Sequence, residues 1–250
     1  MNKIEPTIFD ALLQQLALDY ACEPSDFLRP DCTVVPFRAL PGRRQFGPEP
    51  PFWQMATLGK GAVLCVHPCI LEECRRICQG KRGIWLFEYP NLRQFDELLR
   101  PHGYAVFGSF HHYLPGACEA APAPRPNTRW FEQEEITKER FGDAFPNALG
   151  FDPGRPDVLA GALYQGEQIA ALAGASADCA QFWQIGIDVL PEFERQGMGK
   201  YLVALLRQEI FRRGKIPYYG TSEANLASRG IAAATGFVPA WAEAACKKEK

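Results

Sequence analysis

The segment Val189-Leu190-Pro191-Glu192-Phe193-Glu194-Arg195-Gln196-Gly197-Met198-Gly199-Lys200 constrains this chain more than any other. Two glycines two apart stand between an apolar strand-like run, QFWQIGIDVLP, and the helical-period stretch MGKYLVALLRQEIFRRG. A strand–loop–helix join of this kind lets backbone N–H groups converge on a phosphate at the helix N-terminus, where the helix dipole also favours an anion. Side chains at Gly197 or Gly199 are expected to obstruct that approach, and Arg195 and Lys200 add positive charge beside it. Two commoner phosphate loops do not fit. The Walker pattern lacks its first glycine here, and Tyr201 follows the lysine in place of Ser or Thr. The dinucleotide fingerprint fails because Leu202 stands where its third glycine belongs.

Around this loop the chain reads as alternating strands and helices. In the second half, EEITKERFGDAF is expected to be helical and VLAGALYQGEQIAALAGAS to be a hairpin turning at Gln165-Gly166. IPYYGTS is expected as a strand, NLASRGIAAATG as a helix ended by Gly236, and FVPAWAEAAC as the last strand. The first half opens with a helix on Phe9, Leu12, Leu13, Leu16 and Tyr20, with Thr7 and Asp10 as a capping-box pattern. Pro36–Pro51 reads as loop. GAVLCVHP then reads as a strand, CILEECRRICQGK as a helix, RGIWLFEY as a strand, NLRQFDELLRPHGY as a helix and AVFGSFHHYL as a strand.

LPGACEAAPAPRPN, from Leu114 to Asn127, is dense in proline and alanine and divides the chain. The expected organisation is residues 1–120 as a smaller α/β half, 121–127 as a linker and 128–250 as the half carrying the loop. The halves share a pattern. Val66-His67-Pro68 and Val189-Leu190-Pro191 end strands, Gly80-Lys81 and Gly214-Lys215 precede strands, and Asn91-Leu92 and Asn225-Leu226 open helices. From Val to Asn is 25 residues in the first half and 36 in the second, the difference falling at the glycine loop. This is read as an internal duplication in which only the second copy has the loop.

Charge and cysteine content exclude other classes. The formal charge is −2, and Met1–Arg125 holds 13 basic and 13 acidic residues, so no basic stripe for nucleic acid forms in either half. No apolar run approaches the length of a membrane span, and the N-terminal segment carries acidic residues and no cleavage site, so a soluble cytoplasmic chain is expected. Nine cysteines, an odd number, are expected as reduced thiols. Five are scattered (Cys22, Cys32, Cys118, Cys179, Cys246), and Cys65, Cys69, Cys74 and Cys78 cluster around His67 without paired zinc-ligand spacing. No metal site is expected.

Together, Ile187-Asp188-Val189-Leu190-Pro191, the loop, the helix after it, Asn225 and Gly236-Phe237 resemble the GCN5-related N-acetyltransferases (GNAT). The family loop is (Gln/Arg)-x-x-Gly-x-(Gly/Ala) after a strand ending Val-x-Pro. The resemblance covers roughly Trp130 to Cys246. It implies an α/β fold with a mixed, splayed sheet flanked by helices, preceded here by the smaller related half as a degenerate tandem copy. It implies acetyl-CoA as cosubstrate, wedged between the IGIDV and IPYYGTS strands. Its pyrophosphate would lie on the amides of Arg195, Gln196, Gly197, Met198, Gly199 and Lys200. Its pantetheine would pair with the Ile187–Leu190 backbone, and an N–H near Val189 or Leu190 would polarise the thioester carbonyl. Asn225 and Ser228 would bond the cofactor.

Two positions depart from the family. Glu194 stands where Gln or Arg is preferred, and Ala232 where many members carry the tyrosine that protonates the leaving thiolate. The implied reaction is acetyl transfer to a primary amine of a small molecule or peptide by direct attack. The alternative is a catalytically silent acyl-CoA-binding or sensing protein. Asp188 and Glu223 are the candidate carboxylates, with Tyr219 and Ser222 in place of the missing acid, alongside Tyr218. All four histidines lie in the first half, and His111-His112 reads as edge-strand surface, with the lining of a substrate cleft between the halves as the alternative. The final strands are candidates to pair across a homodimer.

Overall fold

The computed structural model describes residues 4–47, 49–116 and 122–249. Its first part contains helix α1 (Pro6–Tyr20), strands β1 (Cys32–Pro36), β2 (Trp53–Thr57) and β3 (Ala62–Val66), helices α2 (Leu71–Cys78) and α3 (Tyr89–Leu99), and strand β4 (Tyr104–Pro115). The second contains β5 (Thr128–Glu132), a short α4 (Lys138–Phe141), β6 (Asp157–Gln165), β7 (Gln168–Ala177), β8 (Phe182–Val189), α5 (Met198–Arg212), β9 (Ile216–Ser222), α6 (Leu226–Ala234) and β10 (Phe237–Lys248). All ten strands form one mixed sheet in the order β1-β3-β2-β10-β4-β9-β8-β7-β6-β5.

Side-chain alternation explains the layers. On β3, Val63 and Cys65 face α1, packing with Leu12, Leu16 and Tyr20, whereas Leu64 and Val66 pack with Ile70, Cys74, Phe95 and Leu99 from α2, α3 and the turn before them. Both faces are covered, so all five residues of β2 and of β3 are buried. In the second part, α5 covers Leu159, Ala171, Ala173 and Ile185 on one face, while Phe131, Phe145, Leu149 and Leu172 close the other.

The exchange of strands at the centre matters most for function. β10 lies between β2 and β4, antiparallel to both, and β4 pairs antiparallel with β9 on its other side, with His112 opposite Gly220. The C-terminal strand is therefore internal, and the pairing across a dimer expected of it is unavailable; the sheet edges are β1 and β5. By the same exchange His112 sits inside the sheet, and it is buried. β8 and β9 pair in parallel only from Phe182–Ile216 to Ile185–Tyr219. Beyond that register they part, the splayed sheet that the family resemblance implied.

Several local expectations are corrected. RGIWLFEY forms no strand: Gly83–Phe87 is a 3-10 turn leading into α3. The parallel place beside β3 is already taken by β1, and Gly83 is pressed against the chain there, where a Cβ would stand 2.1 Å from the Ala62 nitrogen. β1, β2 and β5 were not anticipated, being only five residues each. Thr7 and Asp10 make no capping box, because Glu5 is the N-cap and Pro6 sets the first turn. Asn91 is the third residue of its helix and donates to the Trp85 carbonyl at 2.7 Å, whereas Asn225 is a true N-cap, accepting from Ser228 N at 3.0 Å. EEITKERFGDAF is helical over only four residues, ended by Gly142 at φ 59°. Leu114 and Pro115 belong to β4 rather than to a connector, and Arg125 is tied to Tyr201, its N–H donating to the hydroxyl at 2.5 Å. Ala121 and Cys118 lie outside the described residues.

Among the described residues no group of three or more His, Cys, Asp or Glu could hold a metal, and no helix is long and apolar enough to cross a membrane. Cys74 and Cys78 share the buried face of α2; Cys69 is exposed. Burial pushes the thiols of Cys22 and Cys74 up to about 12 and that of Cys65 to about 11, while a hydrogen bond from Cys78 lowers Cys32. The thiolate is the reactive form. Brief iodoacetamide treatment should therefore alkylate Cys69 and then Cys32 ahead of Cys22, Cys65 and Cys74, as read by peptide mass mapping.

Candidate functional site

Where β8 and β9 separate, a cavity of about 1000 Å³ opens through the sheet. Its walls combine the β8 segment Ile185–Val189, the glycine loop, Tyr219–Ser222 of β9, Asn225, Ser228 and Ile231 around α6, and Phe110 and His112 of β4. The loop Pro146–Asp157 contributes the remainder, including Asn147, Asp152 and Arg155.

The β8 edge supplies backbone groups. Leu190 N–H donates to the Ala170 carbonyl at 2.9 Å, so it is held by β7 and cannot serve as the polarising donor. Antiparallel pairing alternates, so the N–H and C=O groups of Ile187 and Val189 point instead into the split. Val189 thus presents the usable amide of the two expected candidates.

At the end of the split the chain passes through Pro191–Phe193, then Arg195 at φ 60° and Gly197 at φ 76°, and enters α5. The first intrahelical bond runs from Tyr201 N to Gly197 O at 3.0 Å, which leaves the amides of Met198, Gly199 and Lys200 without an acceptor inside the helix. The two glycines serve different needs. A Cβ on Gly197 would meet nothing within 4 Å, and its requirement is the left-handed backbone. A Cβ on Gly199 would come within 3.1 Å of Ile231 and 3.4 Å of Val189, so this glycine lets α5 approach β8 and α6. Both glycines line the cavity. Glu194, Arg195, Gln196 and Lys200 are solvent-exposed, and Leu190 and Gln196 lie outside the cavity wall.

The carboxylate and hydroxyl candidates separate clearly. Asp188 faces away from α5 and accepts from Asn147 N and Ala148 N, each at 2.8 Å, and from Asn147 Nδ2 at 2.5 Å. Those bonds clamp the 147–148 backbone across the paired glycines Gly174 and Gly186, where a Cβ would stand 2.0 and 1.9 Å from the Ala148 and Asn147 carbonyl oxygens. Asp188 is therefore fully engaged as a loop anchor. Glu223 is exposed outside the cavity wall, 3.3 Å from His111. Ser222 reaches the cavity rim, exposed. Tyr219 is buried, and its hydroxyl shares a 2.8 Å hydrogen bond with Ser228 Oγ. Burial raises its pKa, which keeps it protonated at neutral pH. Tyr218, its neighbour, projects to the opposite face and is bonded to Asp178 and Gln184 away from the reacting space. Ala232 is fully buried in the core with Tyr219 and Phe237.

Of the two sequence readings of His112, edge-strand surface fails and a place in the cavity wall holds. Its Nε2 lies 2.9 Å from Glu243 Oε2, and its ring stacks on Trp241 at 4.6 Å. Glu243 Oε1 in turn accepts from Arg44 NH2 at 2.7 Å, and Arg44 Nε donates to Asp19 Oδ2 at 2.6 Å. His112 Nδ1 is buried and has no hydrogen-bond partner among the described residues. No local motif could have revealed this, since Arg44, His112 and Glu243 come from a loop and two strands far apart in sequence.

Residues 163–245 match the family model of FR47-like protein. No curated protein matches the chain. Among solved structures it is similar to a GCN5-related N-acetyltransferase-like protein from Streptococcus suis, with 15% identity, 81% of this chain and 87% of that chain covered, and a TM-score of 0.47. A GCN5-related N-acetyltransferase from Sphaerobacter thermophilus is similar at 13% identity over 75% and 72%, TM-score 0.43. A tandem GNAT protein from the clavulanic acid biosynthesis pathway is similar at 14% identity over 74% and 73%, TM-score 0.44.

Proposed function

We propose that this chain, whose residues 163–245 match the FR47-like family model, is a GNAT-superfamily, acetyl-CoA-dependent N-acetyltransferase acting on a primary amine of a small molecule or peptide. The observation that carries this reading is the juxtaposition, in one cavity, of an unpaired strand edge at Ile187 and Val189 with the amide cluster at the start of α5. That pair suits a pantetheine arm and a pyrophosphate, and acetyl-CoA would supply the activated acetyl group. Arg195 and Lys200 add charge at the loop mouth, and Asn225, whose Oδ1 caps α6, keeps its amide group at the cavity wall.

Val189 N–H stabilises negative charge developing on the thioester oxygen. Tyr219, oriented by Ser228, donates a proton to the departing thiolate in place of the tyrosine absent at Ala232. Asp188 acts by fixing the 146–150 loop rather than as a base. On this reading residues 1–120 form a degenerate copy that shapes the acceptor side and 128–250 the cofactor-binding half. A catalytically silent acyl-CoA sensor is the second reading, favoured by the buried Ala232 and by Glu194 beside the phosphate loop.

Calorimetry with acetyl-CoA tests the shared premise, and CoA release followed chromatographically separates the two readings. Saturable micromolar binding is expected, with CoA released in the presence of amines. Absence of binding by folded protein overturns both readings; binding without release on any amine of a broad panel leaves the sensor.

A further inference from the structure

Resting on the transferase reading, we propose that His112 is the general base of this site, accepting at Nδ1 the proton of the attacking amine, and that Glu243 is its positioning residue. The catalytic pair then comes from both halves of the chain: the acid from β9, the base from β4.

The argument begins with the sheet. Strand alternation puts Tyr219 on the α5 side, where it packs with Leu202, Leu206 and Ala232, and puts Tyr218 and Gly220 on the opposite side. His112 lies opposite Gly220 and shares that second side with Trp241. The cavity passes through the split and touches both. Acid and base therefore approach from opposite faces of the sheet, as they must if thioester and amine enter from opposite sides and meet in the gap.

Next comes the tautomer. A carboxylate only accepts, so Nε2 carries the proton toward Glu243 and the neutral ring keeps its lone pair on Nδ1. That nitrogen lies over Gly220: a Cβ there would stand 2.9 Å from Nδ1 and 2.9 Å from Gln184 Nε2. Gly220 thus lets the His112 ring and the Gln184 amide approach the β9 backbone closely, and both residues line the cavity. A buried ring nitrogen without a partner is costly unless it meets a donor during function. The amine N–H is that donor.

The other groups facing the imidazole are already paired or uncharged. Glu243 on β10 is held ionised, burial opposing this and Arg44 overcoming it. Arg44, from the loop after β1, is paired on its far side with Asp19 of α1. Tyr218 of β9 is 6.0 Å from the ring and engaged with Asp178 from the turn before β8, while Trp241 of β10 and Gln184 of β8 carry no charge. In the step, the amine nitrogen forms a bond to the acetyl carbon and its proton passes to His112 Nδ1. The carbon–sulfur bond breaks, and the thiolate takes the Tyr219 proton. His112 then gives its proton to solvent and Tyr219 regains one from it, so that amine plus thioester becomes amide plus thiol with nothing else consumed.

The test uses the full chain labelled with ¹⁵N-histidine, the His112 resonances being assigned with His112→Gln. The expected result is an Nε2–H tautomer, with Nδ1 perturbed when acetyl-CoA is added. In parallel, CoA release from acetyl-CoA with water as acceptor should fall about 100-fold or more in His112→Gln, while its acetyl-CoA affinity by calorimetry stays within about threefold. An Nδ1–H tautomer, or release by the variant at the wild-type rate, overturns the proposal. Loss of acetyl-CoA binding by the wild type would instead overturn the transferase reading beneath it. If the wild type releases no CoA to water, the tautomer alone decides.

Discussion

Gly197→Asp should lower acetyl-CoA affinity by at least about 100-fold, equivalent to about 2.7 kcal/mol, in a protein that remains folded. The backbone at this position has φ 76°, which costs a non-glycine residue about 1–2 kcal/mol. A Cβ there contacts nothing, so the fold has no packing reason to fail. The remaining loss is electrostatic: a carboxylate one residue before the first turn of α5 neutralises the positive end of the helix and repels the pyrophosphate. Gly197→Asn separates the two causes. Asparagine tolerates left-handed backbone and carries no charge, so its affinity should fall less than about tenfold. Calorimetry on the three proteins, with thermal melts as the control for folding, checks this. Equal loss in Asn and Asp would mean that loop conformation alone matters; no loss in either would remove the loop from the binding site.

Arg44→Met should be the most destabilising single change at the junction of the halves. The guanidinium is 2% exposed and bridges Asp19 and Glu243, which are 4% and 13% exposed. Removing it strands two buried carboxylates, a loss of about 3–5 kcal/mol, or a melting-point drop of roughly 10 °C for a chain of this size. The pH dependence carries the same signature. Burial alone would raise the Glu243 carboxyl, but Arg44, and then His112, lower it from 4.5 to about 2. Its folded value lies below its unfolded one. Its contribution to stability, about 3 kcal/mol, is therefore fully present above about pH 4.5 and lost as pH falls toward 2. In Arg44→Met the largest influence opposing burial is gone, so Glu243 should take up its proton at a higher pH. Denaturant melts of both proteins from pH 3 to pH 7 would show this. A variant melting within about 2 °C of wild type across that range would mean that the buried pair is replaceable by apolar packing.

The loop and the elements around it were legible because their signals are local. A left-handed glycine before a helix, an asparagine N-cap at Asn225 and a hairpin turn near Gly166 each follow from residues within a few positions of one another. β1, β2 and β5 were not legible, since five apolar or mixed residues do not distinguish a buried strand from a loop. RGIWLFEY failed for the opposite reason: its apolar run suits a strand, yet the edge of β3 that would have received it pairs with β1.

Among the candidate site residues, type was legible and direction was not. Asp188 and Tyr219 both stand on strands bordering the split, but their side chains meet different partners because successive strand positions face opposite sides. Asp188 closes on the 147–148 backbone, and Tyr219 reaches Ser228. By itself, the sequence determined the glycine loop, the helix it opens, the order of elements from β6 to β10 and the absence of a tyrosine at position 232. Only the tertiary structure decided that β10 enters the first half of the sheet and β4 borders β9, and hence that His112 becomes a buried, oriented base candidate. Strand exchange joins residues such as Arg44 and Glu243 across almost the whole chain. Periodicity and spacing report only neighbours along the backbone, so a site assembled by such pairing has no local trace.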